Sequence, residues 1–316
     1  RKIDDPRLLA FEVLVQVELE GAYSNLILPK ALTDSALEVK DRAFATELVY
    51  GSLRMQGRHD HFIAAASDRA LEQIDPKALI VLRIGTHQLK EMRVPSHAAI
   101  YESVELAKKV VGKSTSSFIN AILRKIDSLD FEQLPIPNQE FSRLALEYSH
   151  PEWIVSSYFD SLKSEQEVRN LLNANNSAAK PVLIAWPDLA SIDELVDAGA
   201  LPITTSGVAA SFDGNPGDIP AIRQRRAGVQ DLGSQIVVEK FYQSFLPDLR
   251  WLDLCAGPGG KAAYLSALLN RDGGYLLANE ISNERAKLVS QVLHHGEVTV
   301  NDGRSMPEEL GIFDRI

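Results

Sequence analysis

The first 130 residues carry apolar positions at three- and four-residue spacing. Leu8, Phe11, Val15 and Leu19 form one stripe; Phe44, Leu48 and Met55, then Leu79, Leu82 and Leu89, form others. Ile100, Val104 and Val111, and then Phe118, Ile122 and Ile126, continue the pattern. Recurrence of this kind lines one face of a helix. Asp5 before Pro6 reads as an N-cap followed by proline at the first helical position. No stretch alternates apolar and polar residues for long, so strands have little support here. Gly21, Gly57, Pro76, Pro95 and Gly112 punctuate the stripes. The pattern predicts a compact bundle of about six or seven helices.

Beyond this point the pattern changes. Ser128 to Asn138, with Pro135 and Pro137, reads as a linker. Residues 151–175 return to helical spacing behind Pro151. Val182 to Trp186 then reads as a strand, and Ser191-Ile192-Asp193-Glu194 as a capping box opening a short helix. Leu201 to Thr205 reads as a second strand, before a loop rich in Gly and Pro from Asp213 to Pro220. From residue 229 the period becomes βαβ. Trp251 to Cys255 is a short apolar strand, Gly257 to Gly260 a glycine-rich turn, and Lys261 to Leu269 a helix. Gly274 to Asn279 is the next strand, Ser282 to His294 a helix and Val298 to Val300 a third strand; Phe313 to Ile316 reads as the opening of a fourth. The expected class is multi-domain. An all-α bundle spans 1–130, a linker and small α+β module 131–228, and the first half of an α/β Rossmann-like domain 229–316.

Composition narrows the function classes. Hydrophobic residues are 45% and charged residues 24% of 316, as in soluble globular chains. No apolar run approaches the ~18 residues of a membrane helix, and no apolar signal core follows the start. The single cysteine, Cys255, excludes an internal disulfide framework and a CxxC-type zinc site. The expectation is a cytoplasmic monomer without metal. The net charge of −10 argues against nucleic acid only until it is mapped. Residues 1–130 hold 18 basic and 18 acidic groups, and the remainder 15 and 25, so the helical part is neutral and free to carry a local basic face.

The strongest chemical signal is Asp253-Leu254-Cys255-Ala256-Gly257-Pro258-Gly259-Gly260-Lys261. A glycine-rich turn between strand and helix lets a ligand approach the backbone and aims helix N–H groups at its polar atoms. Glu280 follows 23 residues after Gly257, at the end of the next strand, where a carboxylate can accept two ribose hydroxyls. A nucleoside triphosphate loop needs GxxxxGK followed by Ser or Thr, but Ala262 follows Lys261 and Cys255 stands at the first glycine. A dinucleotide turn tolerates Ala262 at its third glycine, yet Pro258 and Lys261 are unusual in it. S-adenosylmethionine, a nucleoside ligand without pyrophosphate, is the remaining class. The plainer alternative is a tight turn with no ligand.

Asp253 to Lys261 resembles motif I of the RNA cytosine-5 methyltransferases. Val229-Gln230-Asp231 with Ser234-Gln235 resembles their VQD-x-x-SQ element, and Asp302-Gly303-Arg304 their DGR. Val94 to Ala99, Glu102 to Lys108 and Phe118 to Arg124 resemble a NusB-type RNA-binding domain. Ser149 to Trp153 and Asn175-Asn176 match the same family, and the order of elements is similar to the RsmB/Sun branch of bacterial 16S rRNA cytosine-5 methyltransferases over nearly the whole chain. The resemblance implies S-adenosylmethionine as cofactor and 16S rRNA or a small-subunit assembly intermediate as partner. It implies that Cys255, Ala256, Gly257, Pro258, Gly259, Gly260 and Lys261 line the cofactor pocket, mainly through backbone groups. Glu280 would hold the ribose, braced by Arg285, and Asp302 would face the adenine. The family usually has Asp at 280 and often Ala at 257.

In the family a thiolate adds to C6 of cytosine and makes C5 carbanion-like before the methyl group transfers. The target base must also leave its stack. The nucleophile lies in a Thr-Cys or Pro-Cys element, and an Asp of a DAPC element contacts the base. Neither is present here; Phe313 to Ile316 matches the FDRI that precedes DAPC. The expectation is therefore a chain that continues further in the complete protein, with no catalytic residue within these 316. Cys255 is expected to be a small buried residue under the cofactor turn. The rival reading is a non-catalytic NusB-like RNA-binding factor with a truncated or degenerate methyltransferase domain; an NAD-dependent enzyme is a weaker one.

Other candidates have plain readings. His97 reads as a cap or packing residue, and His59, Asp60 and His61 as a solvated face rather than a metal site. Lys108, Lys109, Lys113, Arg124 and Lys125 could contact phosphates, as could Arg223, Arg225 and Arg226. Trp153, Trp186 and Trp251 read as core.

Overall fold

The computed structural model describes residues 2–177, 180–243 and 249–316. The chain forms two compact units, Arg1–Ala178 and Ala179–Ile316.

The first unit opens with seven α-helices among the described residues: α1 (Pro6–Glu20), α2 (Ser24–Asp34), α3 (Val39–Arg54), α4 (Gln56–Ala66), α5 (Pro76–Lys90), α6 (Ser96–Val110) and α7 (Lys113–Asp127). Asp5 caps α1, its carboxylate accepting the Arg7 and Leu8 N–H groups with Pro6 at the first position. Leu14, Leu48, Phe62, Ile80, Leu82 and Leu123 meet in one core. The segment read as a linker belongs to that core. A 3-10 turn at Phe131–Gln133 drops Phe131 and Leu134 into it, and the Arg58 guanidinium lies 4.5 Å from the Phe131 ring centroid. Prolines suppress helical periodicity without preventing burial, which is why the pattern misled there. Three further helices, α8 (Glu140–Glu147), α9 (Glu152–Leu162) and α10 (Glu165–Asn176), enclose a small core of Leu144, Val155, Val168 and Leu172. Ser149 ties them to α4 by accepting the Gly57 N–H at 2.9 Å.

Two other readings in this unit need correction. His59 is buried, not solvated, with its ring edge-on to His87 and its Nε2 3.4 Å from His87 Nδ1. Loss of water pushes its pKa well below 6.5. Asp60 is taken by a paired hydrogen bond with Arg83, at 2.7 and 2.8 Å. Trp153 is 72% exposed on the first turn of α9, while Trp186 and Trp251 are core.

The second unit begins with an antiparallel sheet. Its strands are β1 (Val182–Ala185), β2 (Leu201–Pro202), β3 (Ala209–Ser211) and β4 (Ala227–Val229), in the order β2-β3-β1-β4. The helix α11 (Ile192–Asp197) starts at Ser191, whose hydroxyl accepts the Glu194 N–H. The helix α12 (Pro220–Arg223) precedes β4 and α13 (Leu232–Tyr242) follows it. The second reading of a strand, Leu201 to Thr205, reduces to the two residues of β2.

The parallel sheet comprises β5 (Arg250–Asp253), β6 (Tyr275–Asn279) and β7 (Glu297–Thr299), connected by α14 (Gly260–Arg271) and α15 (Asn283–Val292). Arg315 bridges in parallel to Trp251 at the edge of β5 that β6 leaves free. Strand order therefore reverses at β5, and in such sheets ligands sit beyond the carboxyl ends of the strands at the reversal. Ile184 of β1 and Trp186 just after it share a core with Val238, Trp251 and Leu268, so the two sheets of this unit pack on common residues.

Candidate functional site

The turn after β5 carries the glycine-rich motif. Gly259, with φ +112°, caps α14, and a Cβ there would stand 2.7 Å from Val292 Cγ2 and 3.1 Å from Val289 Cα. Both the left-handed backbone and the close approach of α15 require glycine. The turn is fastened from below. Ala256 N–H donates to the Asn279 carbonyl at 2.8 Å and Gly259 N–H to the Ala256 carbonyl at 2.7 Å. The first intrahelical bond of α14 runs from Ala263 N–H to the Gly259 carbonyl, so the Gly260, Lys261 and Ala262 N–H groups of the first turn have no partner within the helix. Cys255 itself is exposed, contrary to its reading as a buried residue. The strand has ended by Leu254, and the Cys255 N–H turns back to the Asp253 carboxylate at 3.3 Å.

Glu280 stands at the carboxyl end of β6 and is 3% exposed. Its Oε2 accepts the Gly257 N–H at 3.0 Å and its Oε1 the Ser282 N–H at 3.1 Å. Arg285 Nε lies 3.7 Å from Oε2, and the same guanidinium donates to the Gly257 carbonyl. Arg285 therefore lies where a brace on this carboxylate would stand. Asp302 follows β7. Arg304 holds its carboxylate at 2.6 to 3.2 Å and keeps its pKa below the usual value. A Cβ on Gly303 would be 3.0 Å from Leu254 Cγ, which shows how closely this loop lies against the end of β5.

Three residues at the site were not singled out from the sequence. Asn279, 1% exposed, donates to the Leu254 and Asn301 carbonyls at 3.0 and 3.1 Å, tying together the chain segments that follow β5 and β7. Asp253 lies at the end of β5, where burial first and Glu280 in addition push its pKa up, against the pull of Lys261. Gln230 is buried with neither amide atom hydrogen-bonded among the described residues, and a Cβ on Gly260 would be 3.9 Å from its Cδ and Nε2. Asp253 and Gln230 lie inside the quoted motifs; Asn279 had no signal beyond its place before Glu280.

Of the basic candidates, Lys108 and Lys109 are paired with Glu105 and Asp5. Arg226 pairs through two nitrogens with Glu194 and donates to the Leu189 carbonyl at 2.9 Å. Lys113, Arg124, Lys125, Arg223 and Arg225 are exposed, as is His97 on the first turn of α6. Among the described residues no helix is long and apolar enough to cross a membrane, and no group of three His, Cys, Asp or Glu could hold a metal.

Residues 4–128 match the NusB family, and residues 245–316 match the 16S rRNA methyltransferase RsmB/F family. A putative methyltransferase of Mycobacterium tuberculosis is 36% identical over 329 aligned positions, covering 100% of this chain and 72% of that protein. The chain belongs to the RsmB/F family of 16S rRNA methyltransferases. Another relative is the probable ribosomal RNA small subunit methyltransferase B of Bacillus subtilis, 27% identical over 95% of this chain and 68% of its own length. The crystal structure of PH0851 aligns over 98% of this chain and 73% of its own, with a TM-score of 0.74 and 18% identity, and shares the fold. For an RsmB/F chain the glycine turn and Glu280 lie within the residues that the family match covers.

Proposed function

We propose that this protein transfers a methyl group from S-adenosylmethionine to C5 of a cytosine in small-subunit 16S rRNA. One arrangement carries the reading: a helix N-terminus and a buried carboxylate converge beyond the carboxyl ends of β5 and β6, where strand order reverses. An ionised carboxylate can accept about four hydrogen bonds. Two N–H groups use part of Glu280, and the remaining capacity suits two ribose hydroxyls. Asp302, on the loop packed against β5, is suited to accept from an adenine amino group once Arg304 yields. The unpartnered amide of Gln230 beside Gly260 favours a polar ligand at the start of α14, because a buried amide left unpaired costs about 1–3 kcal/mol.

When bound, the cofactor supplies an electrophilic methyl group. The residues named here hold and orient it; none is assigned the thiolate that must add to C6. Cys255 lies in the cofactor turn and is not proposed for that role. Lys113, Arg124 and Lys125 on α7 are proposed to meet RNA phosphates. The protein is proposed to work in the cytoplasm as a monomer. Calorimetric titration with S-adenosylmethionine and NAD in parallel tests the cofactor. Binding of the first alone is expected; binding of NAD alone defeats the reading.

A further inference from the structure

We propose that Gly257 and Glu280 are a matched pair: the missing side chain at 257 is what seats the glutamate carboxylate, which makes Gly257 a positioning residue for nucleoside recognition. The inference rests on the reading of this crevice as a nucleoside site. Glu280 grips Gly257 at both of its backbone groups, directly through the N–H at 3.0 Å and through Arg285 at the carbonyl. A Cβ at 257 would stand 2.9 Å from Glu280 Cδ and 2.9 Å from Arg285 Nε, and closer still to Glu280 Oε2. Separations under about 3 Å lie inside van der Waals contact, so the carboxylate or the turn must move.

Neither has an easy exit. The Glu280 side chain is 4% exposed, its Oε1 is fixed by Ser282 N–H, and its own N–H donates to the Thr299 carbonyl. The turn is pinned through Ala256 to Asn279 and through Gly259 to α15. An added methyl at 257 therefore displaces the carboxylate. An aspartate at 280 is one methylene shorter and withdraws from Gly257, leaving room for that methyl. The two positions are coupled through space, and residues in contact generally show non-additive effects.

The test is calorimetry on the whole chain with adenosine, 2′-deoxyadenosine and S-adenosylhomocysteine, with thermal melting as a check of folding. The wild type is expected to prefer adenosine over its 2′-deoxy form. Gly257→Ala is expected to bind adenosine and S-adenosylhomocysteine about tenfold more weakly and to lose that preference. Gly257→Ala combined with Glu280→Asp is expected to regain most of both, which a general loss of packing would not allow. The pairing is overturned if Gly257→Ala binds like the wild type, or if the double variant is no better than Gly257→Ala. A folded wild type that binds none of the three ligands overturns both the pairing and the nucleoside reading.

Discussion

Asp253 sits at the end of β5 with a carboxyl group whose pKa is raised above its ordinary 3.8, chiefly by burial and further by Glu280. A raised acid binds protons more readily folded than unfolded, so its ionisation works against the fold. This group's contribution to the folded state is greatest below pH 3.8, where it is protonated in both the folded and unfolded chains, and it is lost as pH rises through the raised value. Asp253→Asn should therefore melt higher than the wild type at pH 7, with the difference closing near pH 3.8. The check is the melting temperature across pH; a variant that melts lower at pH 7 contradicts this.

At the scale of elements, the α14 cap holds the geometry. Gly259→Ala forces a left-handed φ on alanine and drives its methyl into α15 at Val289 and Val292. Strain of each kind costs about 1–3 kcal/mol, so a loss of at least ~2 kcal/mol is expected from the shift of the denaturant midpoint. Helices with long apolar stripes, such as α5 and α7, were legible in the sequence, as were the Asp5 and Ser191 caps, because each is a local chemical pattern. The strands β3 and β4 were not, since three residues carry too little period to register. The motif turn and Glu280 could be placed from their spacing. The exposure of Cys255, the burial of His59 and the grip of Glu280 on Gly257 depend on residues far apart in sequence, which no window reads.

Across the whole molecule, the −10 charge lies outside residues 1–130, where acidic and basic groups balance. Within that region Lys108 and Lys109 are engaged by carboxylates, and Lys113 and Lys125 are exposed on α7 with no ion pair at 4 Å or less among the described residues. Charge reversal at both, Lys113→Glu with Lys125→Glu, should weaken binding of 16S rRNA fragments. The salt slope should flatten by about one per lost phosphate contact, with S-adenosylmethionine binding unaffected. Filter binding across a salt series measures this, and an unchanged slope would place the RNA elsewhere.

Methyl transfer to C5 of a cytosine in 16S rRNA is tested most directly by bisulfite sequencing of that rRNA from cells with and without the gene. At least one cytosine is expected to resist conversion only when the gene is present. The same pattern of protected cytosines in both would contradict the assignment.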